Sequence, residues 1–73
     1  MAAGDVKAHI AGRVWKIEVQ VGEQVAADDA ILILESMKTE IPVVAPKAGT
    51  VAAIRVAEND DVSEGQILAE IES

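Results

Sequence analysis

The sequence predicts an all-β fold, in the form of a sandwich or flattened barrel with pseudo-two-fold symmetry. Three observations support this prediction: the chain repeats itself, short segments alternate in hydrophobicity, and turn-forming residues recur at close intervals with no helical segment between them. The apolar residues are mainly Val, Ile, Leu and Ala, with one Trp and no Phe or Tyr. Because β-branched side chains pack well on a pleated strand, the composition agrees with the pattern.

The internal repeat has an offset of 37 residues, which places Gly12 on Gly49 without any gap. The two copies, residues 1–36 and 38–73, are therefore predicted to form a single domain spanning residues 1–73. Identical residues coincide throughout the two copies: Ala11 with Ala48, Val14 with Val51, Ile17 with Ile54, Val19 with Val56, Val25 with Val62, Glu35 with Glu72, and Ser36 with Ser73.

The repeat also aligns two turn positions. Gly22 falls on Asn59, and Asp28 falls on Gly65. Gly, Asn and Asp are the residues that tolerate a positive φ. Both halves are therefore predicted to make the same two left-handed turns with different residues.

Each half is predicted to contain its strands in the same order. Residues 6–10 and 41–45 lead into the two copies. Residues 15–21 then alternate, and residues 52–57 follow the same alternation. The side chains that share one face of the first alternating segment are Trp15, Ile17, Val19 and Val21.

Two further features complete the strand prediction. Val14 and Val51 are out of phase with the alternation that follows them, so a bulge or bend just after the glycine is expected in each copy. Residues 31–34 are apolar on both faces, which predicts a strand buried on both sides, whereas residues 67–71 are more mixed.

A tight hairpin is predicted at the join between the two halves. With Met37 and Lys38 as its central residues, the facing pairs are Ser36 with Thr39, Glu35 with Glu40, and Leu34 with Ile41. Such a turn prefers Asn-Gly, since its central residues need positive φ, and it would also place two glutamates directly opposite each other. Local rules that fail at one place in a natural sequence indicate a functional site. The alternative is a looser four-residue turn that carries a solvated lysine.

The predicted chemistry of Lys38 is that of a substrate. A lysine nucleophile must be neutral, and nothing in this segment predicts that the amine is desolvated. A catalytic lysine is therefore not expected. Exposure at a turn on a rigid barrel suits an amine that another enzyme acylates.

Composition excludes several other classes of function. The net charge of −7 argues against a surface for nucleic acid or anionic membranes. The chain has no cysteine for a disulfide or a thiolate metal site. Residues 1–5 lack the pattern of a signal peptide, and no apolar run reaches membrane-spanning length. We expect a cytoplasmic protein that binds neither nucleic acid nor membrane.

The hairpin segment resembles the attachment motif of biotin carboxyl carrier domains, whose core is Ala/Ser-Met-Lys-Met. Ser36, Met37 and Lys38 match that core, and Glu35 precedes it as is usual in the family. The resemblance extends through residues 45–51 and 58–72, and it is strongest to the short single-domain biotin/lipoyl attachment proteins. It implies a barrel–sandwich hybrid of two four-stranded sheets with the acceptor lysine on a hairpin turn.

The resemblance implies a non-catalytic carrier. A biotin protein ligase would link biotin to Lys38, with Glu35, Ser36, Met37 and Thr39 as the surrounding site. The arm would then shuttle CO2 as carboxybiotin from a biotin carboxylase to a carboxyltransferase. The sequence contains no set of side chains that would make the carrier itself an enzyme.

Departures from the family pattern leave alternatives open. Thr39 replaces the usual second Met, His9 stands where Pro is common, and Asp28 replaces a common Gly. No insertion between residues 22 and 31 could form a thumb over the biotin. One alternative is a lipoyl carrier of a 2-oxo acid dehydrogenase or glycine cleavage system, or an acceptor of both groups. Another is a β-barrel interaction module whose Lys38 is never modified.

Overall fold

The computed structural model describes residues 3–73, in which eight β-strands follow one another without a helix. Residues 1–2 of the predicted domain lie outside this part. The strands are β1 (Ala3–Lys7), β2 (Gly12–Ile17), β3 (Gln24–Val25), β4 (Ala30–Ser36), β5 (Thr39–Val44), β6 (Gly49–Ile54), β7 (Asp61–Val62) and β8 (Ile67–Glu72).

The strands form two four-stranded antiparallel sheets, in the orders β1-β8-β6-β3 and β5-β4-β2-β7. Adding 37 to the residue numbers of β2 and β3 gives the bounds of β6 and β7. The same offset carries each sheet onto the other, strand by strand. The predicted all-β sandwich with pseudo-two-fold symmetry is therefore confirmed.

The turn positions also obey the symmetry. Gly22 and Asn59 have φ values of 93° and 75°. The backbone N–H of Gly22 donates to the carbonyl of Val51 at 2.8 Å, and that of Asn59 donates to the carbonyl of Val14 at 2.7 Å. The prediction that different residues make the same left-handed turn in the two halves is confirmed.

The core lies between the two sheets and is made of aliphatic side chains. Those that are almost fully buried come from both halves: Val6, Val14, Ile31, Leu32, Leu34, Val43, Val51, Leu68 and Ile71. No polar side chain of the described residues is buried. Because apolar burial is the main favourable term in folding, this single interior holds the hairpin strand β4 in place through three of its residues.

The predicted bulges are present, but one strand is shorter than expected. Register shifts occur between Val14 and Lys16 in β2 and between Val51 and Ala53 in β6. The prediction that residues 15–21 form one strand with a single apolar face is wrong. β2 ends at Ile17, because the bulge turns the chain, and Trp15 and Val21 are 46% and 62% exposed.

Other strand limits differ by a few residues. β1 ends at Lys7, and the backbone N–H of Ala8 instead bonds the carbonyl of Gln66 at 2.9 Å. Residues 31–34 are predicted to be buried on both faces of their strand, and this prediction fails at Ile33. Ile31, Leu32 and Leu34 are buried, whereas Ile33 is half-buried.

Candidate functional site

The candidate site is the β4–β5 hairpin. Its cross-strand pairs are Ser36 with Thr39, Glu35 with Glu40, and Leu34 with Ile41, which confirms the predicted register. The chain therefore reverses direction over only two residues, Met37 and Lys38. At its base, the hairpin is fixed by Leu34, which is fully buried.

Both central residues of the turn adopt a left-handed conformation. Met37 has a φ of 53° and Lys38 a φ of 65°. Positive φ at both positions matches the type I′ turn that suits the twist of two-residue hairpins. Neither residue prefers this region, so each costs about 1–3 kcal/mol of strain, which the flanking strands must offset. The looser four-residue turn considered above is not what the chain adopts.

The turn presents its side chains to solvent. Met37 is 94% exposed, the highest value among the large apolar residues described, and Lys38 is also exposed. Within residues 3–73, the Lys38 amine has no hydrogen bond or ion pair. The amine is therefore accessible to a reagent from outside the chain.

An open groove lies beside the turn, between the hairpin and the β2–β7 edge of the same sheet. Arg13 and Asp61 line it, and the Arg13 Nε lies 3.4 Å from the Asp61 Oδ1. The remaining lining residues are Ala11, Gly12, Glu35, Ser36, Met37, Lys38 and Val62. Arg13 is also the cross-strand neighbour of Glu35 in the β2–β4 register.

The structure brings the predicted site residues together. Glu35, Ser36, Met37, Lys38 and Thr39 form one continuous turn with its first flanking pairs. Sequence reasoning did not assign Arg13 or Asp61 to this site. Arg13 follows the repeated glycine directly, but only the strand pairing shows that it lies opposite Glu35 of the hairpin and opposite Asp61 of β7.

Residues 3–73 contain no cluster of three or more His, Asp or Glu side chains placed to hold a metal ion. No helix long and apolar enough to cross a membrane occurs in that part of the chain. What the hairpin can do chemically is present one exposed amine on a rigid support.

Known proteins are similar to this chain in sequence and in fold. The family model for biotin/lipoyl domains, described as "Biotin-requiring enzyme", matches residues 1–71. The chain is 42% identical over 66 residues to the biotin/lipoyl attachment protein of Bacillus subtilis (strain 168), and the match covers 90% of each protein.

Two further similarities connect the chain to parts of larger proteins. It is 42% identical over 60 residues to the dihydrolipoyllysine-residue acetyltransferase component of the pyruvate dehydrogenase complex of Mycoplasma genitalium, which covers 82% of this chain and 16% of that protein. The crystal structure of the Kluyveromyces lactis urea carboxylase matches with a TM-score of 0.93 and 38% identity. The chain spans only 6% of that enzyme, although 99% of the chain is covered.

Proposed function

Because this chain belongs to the biotin/lipoyl attachment family, we propose that it is a biotin carboxyl carrier in which biotin is amide-linked to Lys38. Residues 1–73 would form one carrier domain. The observation that carries the proposal is the strained, solvent-exposed turn that holds Lys38 between two well-paired strands. A strained turn kept on a rigid scaffold is expected where presentation of a side chain matters more than local stability.

The modification forms one amide bond. A biotin protein ligase would bind biotinyl-adenylate, and the neutral Lys38 amine would attack its acyl carbon. AMP leaves as the amide forms, and the amine loses a proton. The ligase must supply the base for that proton, because no described side chain bonds the Lys38 amine.

The loaded carrier would then connect two active sites. Carboxybiotin would form at a biotin carboxylase and react at a carboxyltransferase. The benefit of a tethered arm is a high effective concentration of the intermediate at the second site. The carrier contributes position and reach, and the partner enzymes contribute the catalysis.

Lipoate is the second candidate for the group on Lys38. The similarity to the acetyltransferase component of the Mycoplasma genitalium pyruvate dehydrogenase complex favours it, since that protein is named for a dihydrolipoyl-lysine residue. The local sequence favours biotin, because Ser36-Met37-Lys38 resembles the biotin motif and the lipoyl motif usually has Asp before the lysine.

Intact-mass measurement tests the proposal. The chain would be co-expressed with a biotin protein ligase, with a lipoate ligase, or with neither, and the mass increment would identify the attached group. We expect a biotin increment with the first enzyme that is absent from Lys38→Arg and retained in Lys7→Arg, a matched change at another exposed lysine. A lipoyl increment alone would favour the second candidate, and no increment with either ligase would contradict the carrier role.

A further inference from the structure

The outer faces of the two sheets differ at positions that the symmetry makes equivalent. On the sheet that carries the hairpin, four neighbouring positions on β2, β4 and β5 are apolar. We call them the apolar face: Trp15, Ile33, Pro42 and Val44. The equivalent positions on the other sheet, offset by 37, are small or charged: Ala52, Glu70, Asp5 and Lys7.

The register places these side chains side by side. Ile33 pairs with Pro42 on β5 and with Lys16 on β2, next to the bulged residue Trp15. Trp15 is 46% exposed and Val44 is 41% exposed, and Pro42 is also exposed. Solvent therefore reaches large apolar side chains at neighbouring positions of this sheet.

The fold itself does not require this hydrophobicity. At the position equivalent to Ile33, the other sheet carries Glu70, which pairs with Arg55 at 2.6 Å. At the position equivalent to Val44 it carries the exposed Lys7. At one position the difference is reversed: the other sheet carries the apolar Ile67, and the equivalent residue of the hairpin sheet is the small Ala30. The same backbone thus forms when the equivalent positions carry charged side chains. The fold alone therefore does not account for the apolar side chains of the apolar face.

We propose that the apolar face is the docking surface for the enzyme that acylates Lys38, an inference that rests on the proposed function. The face is continuous with the acceptor turn, because β4 and β5 run directly from it into the hairpin. Three residues of β4 lie between Ile33 and Met37, so their Cα atoms are four residue steps, or about 13 Å, apart along the chain. An enzyme surface seated on the face reaches the turn without a change in the carrier.

The charges around the face define the partner's chemistry. Glu35, Glu40 and Asp61 lie at the hairpin end of this sheet, where Arg13 is the nearby cation. A second cation, Lys16, lies opposite Ile33, with its amine 3.9 Å from the Glu18 carboxylate. The matching surface is an apolar patch with Lys or Arg side chains on the side that meets the turn. A second copy of this chain does not fit that description, since each copy carries a net charge of −7.

The acylating enzyme is favoured over the later partners as the occupant of the apolar face, because it must reach an unmodified lysine side chain. Before modification, the only group available is the four-carbon stem of Lys38, so the enzyme that joins the first bond must contact the hairpin itself. Partners that act on the loaded arm meet a group that is farther from the protein. The surface beside the turn is therefore buried most directly in the acylation complex.

Symmetry supplies the test variants. Trp15→Ala and Val44→Lys each introduce the residue that the other sheet already carries at the equivalent position, which keeps the fold. Steady-state acylation would be measured with a purified biotin protein ligase, biotin and ATP. We expect the double variant to raise KM for the carrier about tenfold, the scale of losing an apolar anchor, with kcat changed by less than about twofold. Lys7→Val, the mirror-image change on the other sheet, should leave both constants unchanged.

Two outcomes overturn the proposal. One is an unchanged KM in the double variant when thermal unfolding shows it folded. The other is sedimentation showing that the unaltered chain is a dimer that Trp15→Ala dissociates, which would assign the face to a second copy. The proposed function is judged separately, by whether the unaltered chain gains the biotin mass at all. Complete modification with an unaltered KM would remove this inference alone.

Discussion

Asp28 and Gly65 are equivalent residues of the two halves and share one backbone conformation. Their φ values are 72° and 84°. The N–H of Asp28 donates to the carbonyl of Ala45 at 2.9 Å, and the N–H of Gly65 donates to the carbonyl of Ala8 at 2.7 Å. Each bond joins a turn of one half to the other half, at the residue that directly follows a strand. That strand is β5 for Ala45 and β1 for Ala8. The symmetry is therefore kept at the level of single hydrogen bonds, although the residues differ.

This equivalence predicts how Gly65 responds to substitution. A Cβ at Gly65 would meet no atom within 4 Å, so the cost of a side chain comes from φ alone. We expect Gly65→Asp to lower the free energy of unfolding by about 1 kcal/mol, because Asp tolerates the left-handed region. Gly65→Val should cost about 2–3 kcal/mol, since a β-branched residue does not. Urea unfolding measures both, and equal costs would contradict the role assigned to φ.

At Gly49 the constraint is space. A Cβ there would lie 2.5 Å from the carbonyl oxygen of Glu72 and 2.9 Å from the Cγ2 of Ile71. We expect Gly49→Val to destabilise the fold by about 3 kcal/mol or more, because the β6–β8 pair must separate to admit the side chain. Thermal unfolding would show it, with Ala48→Val at the neighbouring exposed position as the control. An unchanged melting temperature would refute the close approach.

A substitution at Met37 should affect fold stability and recognition by the acylating enzyme differently. Its side chain is 94% exposed and its φ is 53°, so it contributes strain without packing. Met37→Gly should raise the free energy of unfolding, or leave it unchanged within about 1 kcal/mol, because glycine accepts this φ freely. If the acylating enzyme reads Met37, the same variant should lose about tenfold in kcat/KM. If Met37 has no role in recognition, the variant should show the same stability with no loss in kcat/KM.

The paired glutamates of the hairpin predict a salt effect. Glu35 and Glu40 lie directly opposite each other, and neither makes an ion pair within the described residues. Glu40→Lys should stabilise the fold by about 0.2–1 kcal/mol at low ionic strength, with the gain shrinking as salt screens the pair. Glu64→Lys, which makes the same change in net charge on an exposed loop, is the control. Equal gains in the two variants would attribute the effect to net charge.

Much of the fold can be predicted from the sequence, because each structural feature of one half must recur at the equivalent position of the other half. Gly22 aligned with Asn59, and Asp28 with Gly65, and all four have the predicted positive φ. The hairpin register followed from the two-residue turn. These features depend on neighbours in sequence, where local chemistry acts directly.

The parts that were missed depend on how the sheets face solvent. Alternation alone does not reveal which residue a bulge will expose, so the pattern predicts Trp15 on the apolar face of a longer strand. The β3 and β7 strands contain two residues each, too few for a period to be detected. Ile33 lies in an apolar run that predicts complete burial, and only its symmetry mate Glu70 indicates that this position faces outward.

The pairing of Ala3 with Glu72 has a use in protein engineering. It is the symmetry equivalent of the Glu40–Glu35 pair that precedes the lysine turn. A four-residue Ser-Met-Lys-Thr linker joining Glu72 to Ala3 would therefore close the backbone into a ring that displays a second exposed lysine turn. One small ring would bear two prosthetic arms, and a single-acceptor product would show that the two ends of the β sandwich are not interchangeable.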